Sequence, residues 1–228
     1  MTGTATGTAR VGRVRQVAAG ELRELSLPDL AAVVLLSRPP PGDGSGDAST
    51  GPGGLPGILV AAATALGVPV TGSLRRGPAG RPYLEPPPRS PDPALDFNIS
   101  HSGELVGIAV SAHGDLGLDV QELPGPGWER IAARWLHPDE WAVARPGPGD
   151  AGAREFTRSW AVREARCKAT GLGLAGFRSP SAALGTAGHC DGVWWRVLPL
   201  PDGYAGAVAR NGPDGEGWLG REIVMSWI

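Results

Sequence analysis

Lys168 is the only lysine in this chain, although lysine and arginine together number 21. An ammonium is a compact point charge and a guanidinium is a planar fork, so the two differ against a phosphate oxygen. Helical spacing puts Trp160, Glu164 and Lys168 on one face of a helix. This face is a first candidate for an active-site wall. The alternative is a solvated Glu164–Lys168 pair, worth about 0.2–0.5 kcal/mol.

The segment Leu116–Gln121 alternates between apolar and polar residues in the period of a β-strand. The alternation sends Asp119 and Gln121 to the same face, with side chains about 7 Å apart. Two oxygen donors at that spacing can reach one hard cation. Glu164 could complete a magnesium site, because magnesium takes one or two carboxylates together with substrate phosphates. The alternative is that Asp119 ends a strand or caps a turn.

A run of small polar residues follows Phe97 and ends at Gly103. Ser100 offers a hydroxyl and a backbone N–H, His101 adds an imidazole, and Gly103 lets the backbone turn closely around a phosphate. The run is therefore a candidate anion site. A Ser-His pair can also indicate nucleophilic hydrolysis, but the chain has no Gly-x-Ser-x-Gly elbow and no clear carboxylate to orient His101. Hydrolysis is the weaker interpretation.

The elements that must position these residues mix helices and strands. Helices are predicted over Trp128–Trp135 and Ala153–Thr170, the second ending at Gly171. One hairpin is predicted from strands at 105–112 and 116–121 around His113–Asp115, and another from strands at 193–198 and 204–210 around Pro201–Gly203. Strands and helices interleave without regular βαβ order, which favours an α+β fold.

Three segments dense in glycine and proline are expected to be loops, at 39–56, 85–93 and 145–152. The longest apolar run, Ile58–Leu66, is too short to span a bilayer and indicates a buried helix segment.

Composition limits the classes of function. With 228 residues, 41% of them hydrophobic, the chain can bury a core as one domain or two small ones. A net charge of −2 provides no global field for nucleic acid or an anionic membrane. Cys167 and Cys190 have no metal-ligand spacing, and no secretory signal is evident, so a reduced cytoplasmic setting is expected.

Five motifs occur in order along residues 81–174. They are Gly80-Arg81-Pro82-Tyr83, Phe97-Asn98-Ile99-Ser100-His101-Ser102, Gly117-Leu118-Asp119, Phe156 to Trp160 continuing into Arg163-Glu164 and Lys168, and Gly171-Leu172-Gly173-Leu174. The ordered set resembles the 4′-phosphopantetheinyl transferases of the Sfp type, which activate carrier domains of nonribosomal peptide and polyketide synthases. It is more specific than any one motif.

This resemblance implies a pseudo-two-fold α+β fold of two similar halves, with coenzyme A and magnesium in the cleft between them. Residues 1–114 would form the N-terminal half, on the adenosine side of coenzyme A. Residues 115–228 would form the C-terminal half, with the metal and the catalytic helix. The implied reaction moves phosphopantetheine to a carrier-domain serine and releases 3′,5′-ADP. A monomeric cytoplasmic enzyme is expected.

The resemblance also implies roles for individual residues. Arg81, Ser100 and His101 match positions that hold the adenosine and 3′-phosphate end of coenzyme A. Asp119 and Glu164 match magnesium ligands, and position 121 matches a third. Lys168 matches the lysine that contacts the pyrophosphate and helps 3′,5′-ADP to depart. Glu164 also matches the base for the incoming serine hydroxyl, acting directly or through water.

Three departures from the family pattern affect these expectations. Gln121 stands where the pattern has a glutamate, so magnesium is expected to bind more weakly. Arg163 replaces a lysine and keeps its charge, and the 58–66 segment has none of the arginines expected there. A non-catalytic module that binds coenzyme A or a carrier domain is the alternative. Retention of Asp119, Glu164 and Lys168 favours the enzyme.

The resemblance implies that carrier domains dock on residues 123–141. Arg130 and Arg134 would suit the acidic surface of a carrier domain. Trp128, Ile131 and Trp135 form a stripe at helical spacing, and such a stripe more often packs into a core than faces a partner.

Overall fold

The structure is a computed structural model that describes residues 11–38, 57–67, 73–77, 81–85, 96–145, 149–173, 177 and 185–228. Its strands are β1 (Val14–Gln16), β2 (Leu30–Ser37), β3 (Ser73–Arg76), β4 (Pro82–Glu85), β5 (Asp96–Ser102), β6 (Leu105–Ser111), β7 (Leu116–Glu122), β8 (Ala187–Cys190), β9 (Val193–Leu198), β10 (Tyr204–Asn211) and β11 (Glu222–Trp227). Its α-helices are α1 (Gly57–Leu66), α2 (Trp128–Trp135), α3 (Pro138–Val143), α4 (Ala151–Thr170) and α5 (Gly215–Gly220). Short 3-10 helices cover Ala19–Glu24 and Leu27–Asp29.

The strands form a five-stranded sheet in the order β1-β11-β2-β6-β5, a four-stranded sheet in the order β7-β10-β9-β8, and the hairpin β3-β4. This mixture of sheets and helices confirms the α+β class. The chain passes from the first sheet to the second between β6 and β7, where residue 114 lies. Strand β11 returns to the first sheet and pairs with β1 and β2.

The hairpin predicted around His113–Asp115 is wrong. Both strands exist, but β6 pairs with β2 and β5, and β7 pairs with β10. Apolar residues of β6 and β7, among them Leu105 and Leu118, meet in one buried cluster. The two strands therefore pack face to face and belong to different sheets. Alternation predicts that each strand has a buried face, but it does not distinguish pairing from stacking.

The two predicted helices and the second hairpin are confirmed. Helix α2 has the predicted bounds, and α4 ends at Gly171, which has the left-handed φ of 68° typical of a C-terminal glycine. Helix α4 begins at Ala151, so the prediction of a loop is wrong for residues 151 and 152. Strands β9 and β10 pair in an antiparallel hairpin. Residues 57–66 form α1, which buries Leu59.

A ladder of side chains joins the two large sheets. Four side-chain oxygens on β5 accept the backbone N–H groups of β7: Asp96 from Leu116 (2.6 Å), Asn98 from Leu118 (3.0 Å), Ser100 from Val120 (3.1 Å) and Ser102 from Glu122 (2.9 Å). Buried N–H groups need acceptors, and here side chains replace the carbonyls of a neighbouring strand. The edge of one sheet is thereby fixed against the edge of the other.

The loop predicted at 39–56 and most of the loop predicted at 85–93 lie outside the described residues. Among the described helices, none combines the length and the apolar composition needed to cross a membrane.

Candidate active site

Close packing brings α4 onto β7. A Cβ atom at Gly117 would lie 2.0 Å from the carbonyl oxygen of Ala165, so only glycine permits this approach. Ala165 and Ala169 are buried against Ala207 of β10. In the second half of α4, the side chains of Trp160, Glu164 and Lys168 are partly exposed, and their neighbours along the helix are mostly buried. The predicted face of the helix is confirmed.

The carboxylate of Asp119 is the centre of the polar cluster that results. It is 2% exposed and accepts hydrogen bonds from three side chains. Lys168 Nζ lies 2.7 Å from Oδ1, Ser100 Oγ lies 3.0 Å from Oδ1, and Gln121 Nε2 lies 3.0 Å from Oδ2. Asp119 therefore does not cap a turn, because the middle of β7 holds it inside the protein.

Lys168 and Ser100 are also bonded to each other. Lys168 Nζ donates to Ser100 Oγ at 3.0 Å and to the carbonyl oxygen of Leu118 at 2.9 Å. The Lys168 side chain remains 28% exposed, although its ammonium has three acceptors. This geometry excludes the solvated Glu164–Lys168 surface pair, since the ammonium contacts Asp119.

Two carboxylates, those of Asp119 and Glu164, lie where burial limits their contact with water. Burial raises the pKa of Asp119, while the charge and hydrogen bond of Lys168 and the bonds from Gln121 and Ser100 oppose the rise. Burial also raises the pKa of Glu164, and the charge of Asp119 raises it further. The two carboxylates are thus close enough to repel each other, and a cation between them would relieve the repulsion.

A cavity of about 330 Å³ opens beside this cluster. Two basic side chains line it, Arg81 from the segment before β4 and Lys168 from α4. Pro82, Ile99 and Phe177 provide apolar wall. The cavity therefore combines basic groups with apolar surface, as a site for an anion with an apolar or aromatic portion requires.

Arg81 contributes to the cavity and to the fold. Its guanidinium donates to Asp96 Oδ2 at 2.6 Å, to the Leu116 carbonyl at 2.7 Å and to the Lys168 carbonyl at 3.2 Å. The side chain is 21% exposed. Arg81 thus joins the ladder between the sheets to the C-terminal turn of α4, and any ligand that it binds must share it with these partners.

The predicted Ser100–His101 pair is divided by the strand. Ser100 is buried in the cluster, whereas His101 is exposed and is absent from the cavity wall. Successive side chains of a strand point to opposite faces, which accounts for the separation. The Ser100 hydroxyl bonds with Asp119, Lys168 and the Val120 N–H. A nucleophile activated by His101 does not fit this geometry.

Sequence reasoning missed several residues of the site. Asn98 lines the cavity and holds the N–H of Leu118, and the polar alternation of residues 96, 98, 100 and 102 is the signal that could have identified it. Cys167 also lines the cavity. Burial raises the pKa of its thiol to about 11, so it is protonated at neutral pH. Phe177 forms part of the wall, and no local pattern indicated it.

The stripe of helix α2 divides between core and surface. Trp128 is buried and stacks on Phe156 with ring centroids 5.2 Å apart, as core packing predicts. Ile131 is 47% exposed, so the prediction of core packing is wrong for this residue. Arg130 and Arg134 are exposed on the same helix. The surface of α2 therefore presents one large apolar and two basic side chains.

Comparison with known proteins places similarity on the same segment. The family model of the 4′-phosphopantetheinyl transferase superfamily matches residues 115–193. These residues contain β7 and α4, with Asp119, Glu164 and Lys168. The family match thus covers the C-terminal part of the site.

Three curated relatives extend this similarity. A 4′-phosphopantetheinyl transferase of Bacillus subtilis is 33% identical over 156 residues, which are 68% of this chain and 64% of the relative. The 4′-phosphopantetheinyl transferase HetI of a Nostoc species is 35% identical over 106 residues, 46% of this chain and 44% of the relative. The L-aminoadipate-semialdehyde dehydrogenase-phosphopantetheinyl transferase of Homo sapiens is 31% identical over 108 residues, 44% of this chain and 35% of the relative.

The chain thus spans between 35% and 64% of the length of these relatives. The segment that builds the Asp119–Lys168 cluster is similar in sequence to the 4′-phosphopantetheinyl transferase superfamily.

Proposed function

We propose that this chain is a magnesium-dependent 4′-phosphopantetheinyl transferase of the Sfp type. It transfers the phosphopantetheine arm of coenzyme A to a serine of an apo carrier domain and releases 3′,5′-ADP. The observation that carries the proposal is the Lys168–Asp119 pair beside Glu164, at the edge of a cavity that also contains Arg81. Similarity to transferases of this family over residues 115–193 supports it.

Asp119 and Glu164 are the residues that would hold magnesium, with Gln121 as a third donor. Two carboxylates and an amide oxygen are a suitable set, because magnesium completes its shell with waters and phosphate oxygens. The Gln121 side chain donates to Asp119 through its amide nitrogen, and a rotation of the amide by half a turn would present its oxygen instead. When bound, the metal would polarise the pyrophosphate and neutralise its developing charge. No group of three His, Cys, Asp or Glu side chains among the described residues is spaced for a metal.

Lys168 would place a positive charge on the pyrophosphate as the bond to phosphorus breaks. Phosphoryl transfer needs positioning and neutralisation of charge more than covalent help from the enzyme. The exposed fraction of Lys168 and its position in the cavity wall allow its ammonium to face a ligand. Because Asp119 also binds this ammonium, the ligand and Asp119 would share it.

Glu164 would accept the proton of the incoming serine hydroxyl, directly or through water. A general base works best when its pKa lies near the working pH, and burial beside Asp119 shifts the pKa of Glu164 upward from its ordinary value. Its place in the cavity wall makes it accessible to a hydroxyl group from outside.

Arg81, Ser100 and His101 are proposed for the adenosine and 3′-phosphate end of coenzyme A. Arg81 lines the cavity, while Ser100 reaches it only through Lys168 and His101 lies outside the wall. A cavity of about 330 Å³ is near the lower limit of ligand sites, which span roughly 300–1,000 Å³. The described part of the site would therefore enclose only a portion of coenzyme A.

The carrier domain would dock on α2, where Arg130, Ile131 and Arg134 are exposed. Basic side chains around one apolar residue suit an acidic partner, since complementary charge steers association.

Intact-mass measurement tests the proposed function. The purified protein is incubated with coenzyme A, magnesium and a panel of apo carrier domains. The expected result is a carrier domain heavier by one phosphopantetheine, with 3′,5′-ADP released, and no transfer in excess chelator. Equal transfer in excess chelator would show that the reaction does not need magnesium. Binding of coenzyme A without transfer to any carrier would support a non-catalytic module instead.

A further inference from the structure

We infer that Arg163 is a positioning residue that holds Phe177 in the wall of the cavity and thereby sets the affinity for coenzyme A. This inference rests on the proposed function and concerns a residue that does not itself line the cavity. Arg163 follows Val162 on α4, immediately before Glu164. Its side chain is 2% exposed, and Arg163 is not one of the residues that line the cavity.

Arg163 and Glu140 form an ion pair that is sealed inside the protein. Glu140 of α3 is 0% exposed, and its carboxylate lies 2.9 Å from Arg163 Nε and 2.7 Å from Arg163 Nη2, both distances measured to Oε2. Glu140 also accepts the N–H of His137 at 2.8 Å and so caps its own helix. Because the carboxylate is tied to α3, it fixes the plane of the guanidinium.

The remaining arm of that guanidinium points to Phe177. Arg163 Nη1 donates to the Phe177 carbonyl oxygen at 2.6 Å, and Arg163 Cζ lies 5.9 Å from the centroid of the Phe177 ring. One guanidinium therefore binds both the Glu140 carboxylate of α3 and the carbonyl oxygen of Phe177. A lysine has its three donors on one nitrogen and lacks this planar geometry.

The ring of Phe177 is also fixed by aromatic neighbours, and Phe177 is one of the residues that line the cavity. Its centroid lies 4.5 Å from that of Trp160 and 5.7 Å from that of Trp135. The residue is 1% exposed and lines the same cavity as Glu164 and Lys168. The Asp119–Lys168 cluster takes its hydrogen bonds from Ser100, Gln121 and the Leu118 carbonyl, so a change in the Phe177 backbone need not disturb it. Such a change should alter ligand affinity more than the chemical step.

Arg163→Lys is the direct test, with Arg158→Lys as its matched control. Arg158 lies on the same helix and binds a carboxylate, Glu155 Oε1, and a carbonyl, that of Gly185, but it is absent from the cavity wall. Arg163→Lys removes hydrogen bonds of a charged guanidinium, which are stronger than bonds between neutral groups. It should therefore raise the Kd for coenzyme A, measured by calorimetry, about fivefold or more. KM should rise in parallel, and kcat at saturating coenzyme A should stay within about twofold. Arg158→Lys should leave both constants at the wild-type value.

A double-mutant cycle shows whether Arg163 acts through Phe177. If it does, Arg163→Lys combined with Phe177→Leu should bind coenzyme A no more weakly than the weaker single variant. If the effects of the two substitutions on the Kd multiply, the two residues act independently, and the inference is overturned. An unchanged Kd for Arg163→Lys would overturn it as well.

Two further outcomes separate the inference from the proposed function. If the wild-type protein does not bind coenzyme A, both fail together. If it binds and transfers but the Arg163 variants behave as wild type, only the inference fails. Should Arg163→Lys not fold, Glu140→Gln decides, because it keeps an acceptor for the His137 N–H while it weakens the hold on Arg163. It should then show the same rise in Kd with unchanged kcat, and a normal Kd would overturn the inference.

Discussion

Lys168 Nζ lies 2.7 Å from Asp119 Oδ1, so the only lysine of the chain neutralises the most deeply buried carboxylate of the site. The two residues come from different elements, α4 and β7. Asp119 is almost fully buried, and Lys168 keeps more than a quarter of its side chain exposed. The pair therefore joins the interior of the protein to the cavity.

Lys168→Arg should fold normally but lose most of its turnover. The longer planar guanidinium cannot put one donor at the point where Nζ meets Asp119, Ser100 and the Leu118 carbonyl. Lys168→Ala should be slower still. Steady-state kcat and thermal unfolding of both variants provide the test. Full activity of Lys168→Arg at wild-type stability would show that the site does not require an ammonium.

Asp119→Asn should abolish turnover and destabilise the fold by about 1–3 kcal/mol, since it weakens charged hydrogen bonds in a buried place. The free energy of unfolding from urea titration measures this loss. The loss of the partner of Lys168 opposes the gain from deleting one of two carboxylates that repel each other. An Asp119→Asn variant as stable as wild type would contradict the importance of the ion pair.

Glu164→Gln should also abolish turnover but raise stability slightly, because it removes a carboxylate repelled by Asp119. The gain should depend on pH. The folded state raises the pKa of Glu164, so protonation is favoured on folding and the wild type loses stability as pH rises above about 4.3, the ordinary pKa of a glutamate. The melting-temperature difference between variant and wild type should therefore grow through that range and level off above the raised pKa. A constant difference would contradict the shift.

Gln121→Glu should lower the magnesium concentration needed for half-maximal rate, because it supplies a third carboxylate to the proposed metal site. Without metal the same change should destabilise the protein, since Asp119 loses a donor and gains a like charge. Melting temperatures with and without magnesium test both parts. A magnesium requirement equal to or above that of wild type would show that position 121 does not face the metal.

Asn98→Ala should cost about 1–3 kcal/mol, because it leaves the buried N–H of Leu118 without its acceptor. Asn98→Asp keeps an oxygen at the same place and should recover part of the loss. Ser102→Ala is the matched control from the exposed end of the ladder, where water can satisfy the Glu122 N–H. Equal costs for the Asn98 and Ser102 variants in urea unfolding would contradict the role of burial in the ladder.

The sequence by itself determined the local elements and the type of chemistry. The hydrophobic period and the glycine after Thr170 fixed helix α4, and strand alternation placed Asp119 and Gln121 on one face of β7, because both signals arise from neighbours along the chain. The single lysine likewise marked Lys168. These residues lie together as expected, with Gln121 bonded to Asp119.

Only the tertiary structure decided which elements meet. Strands β6 and β7 belong to different sheets because their apolar faces stack in a common core, and alternation gives the same pattern for stacking and for pairing. The Lys168–Asp119 contact spans 49 residues of sequence, and it exists because Gly117 lets α4 approach β7. Phe177 entered the cavity wall through contacts with Arg163 and Trp160. Contacts of this kind depend on packing between distant segments, which no local period encodes.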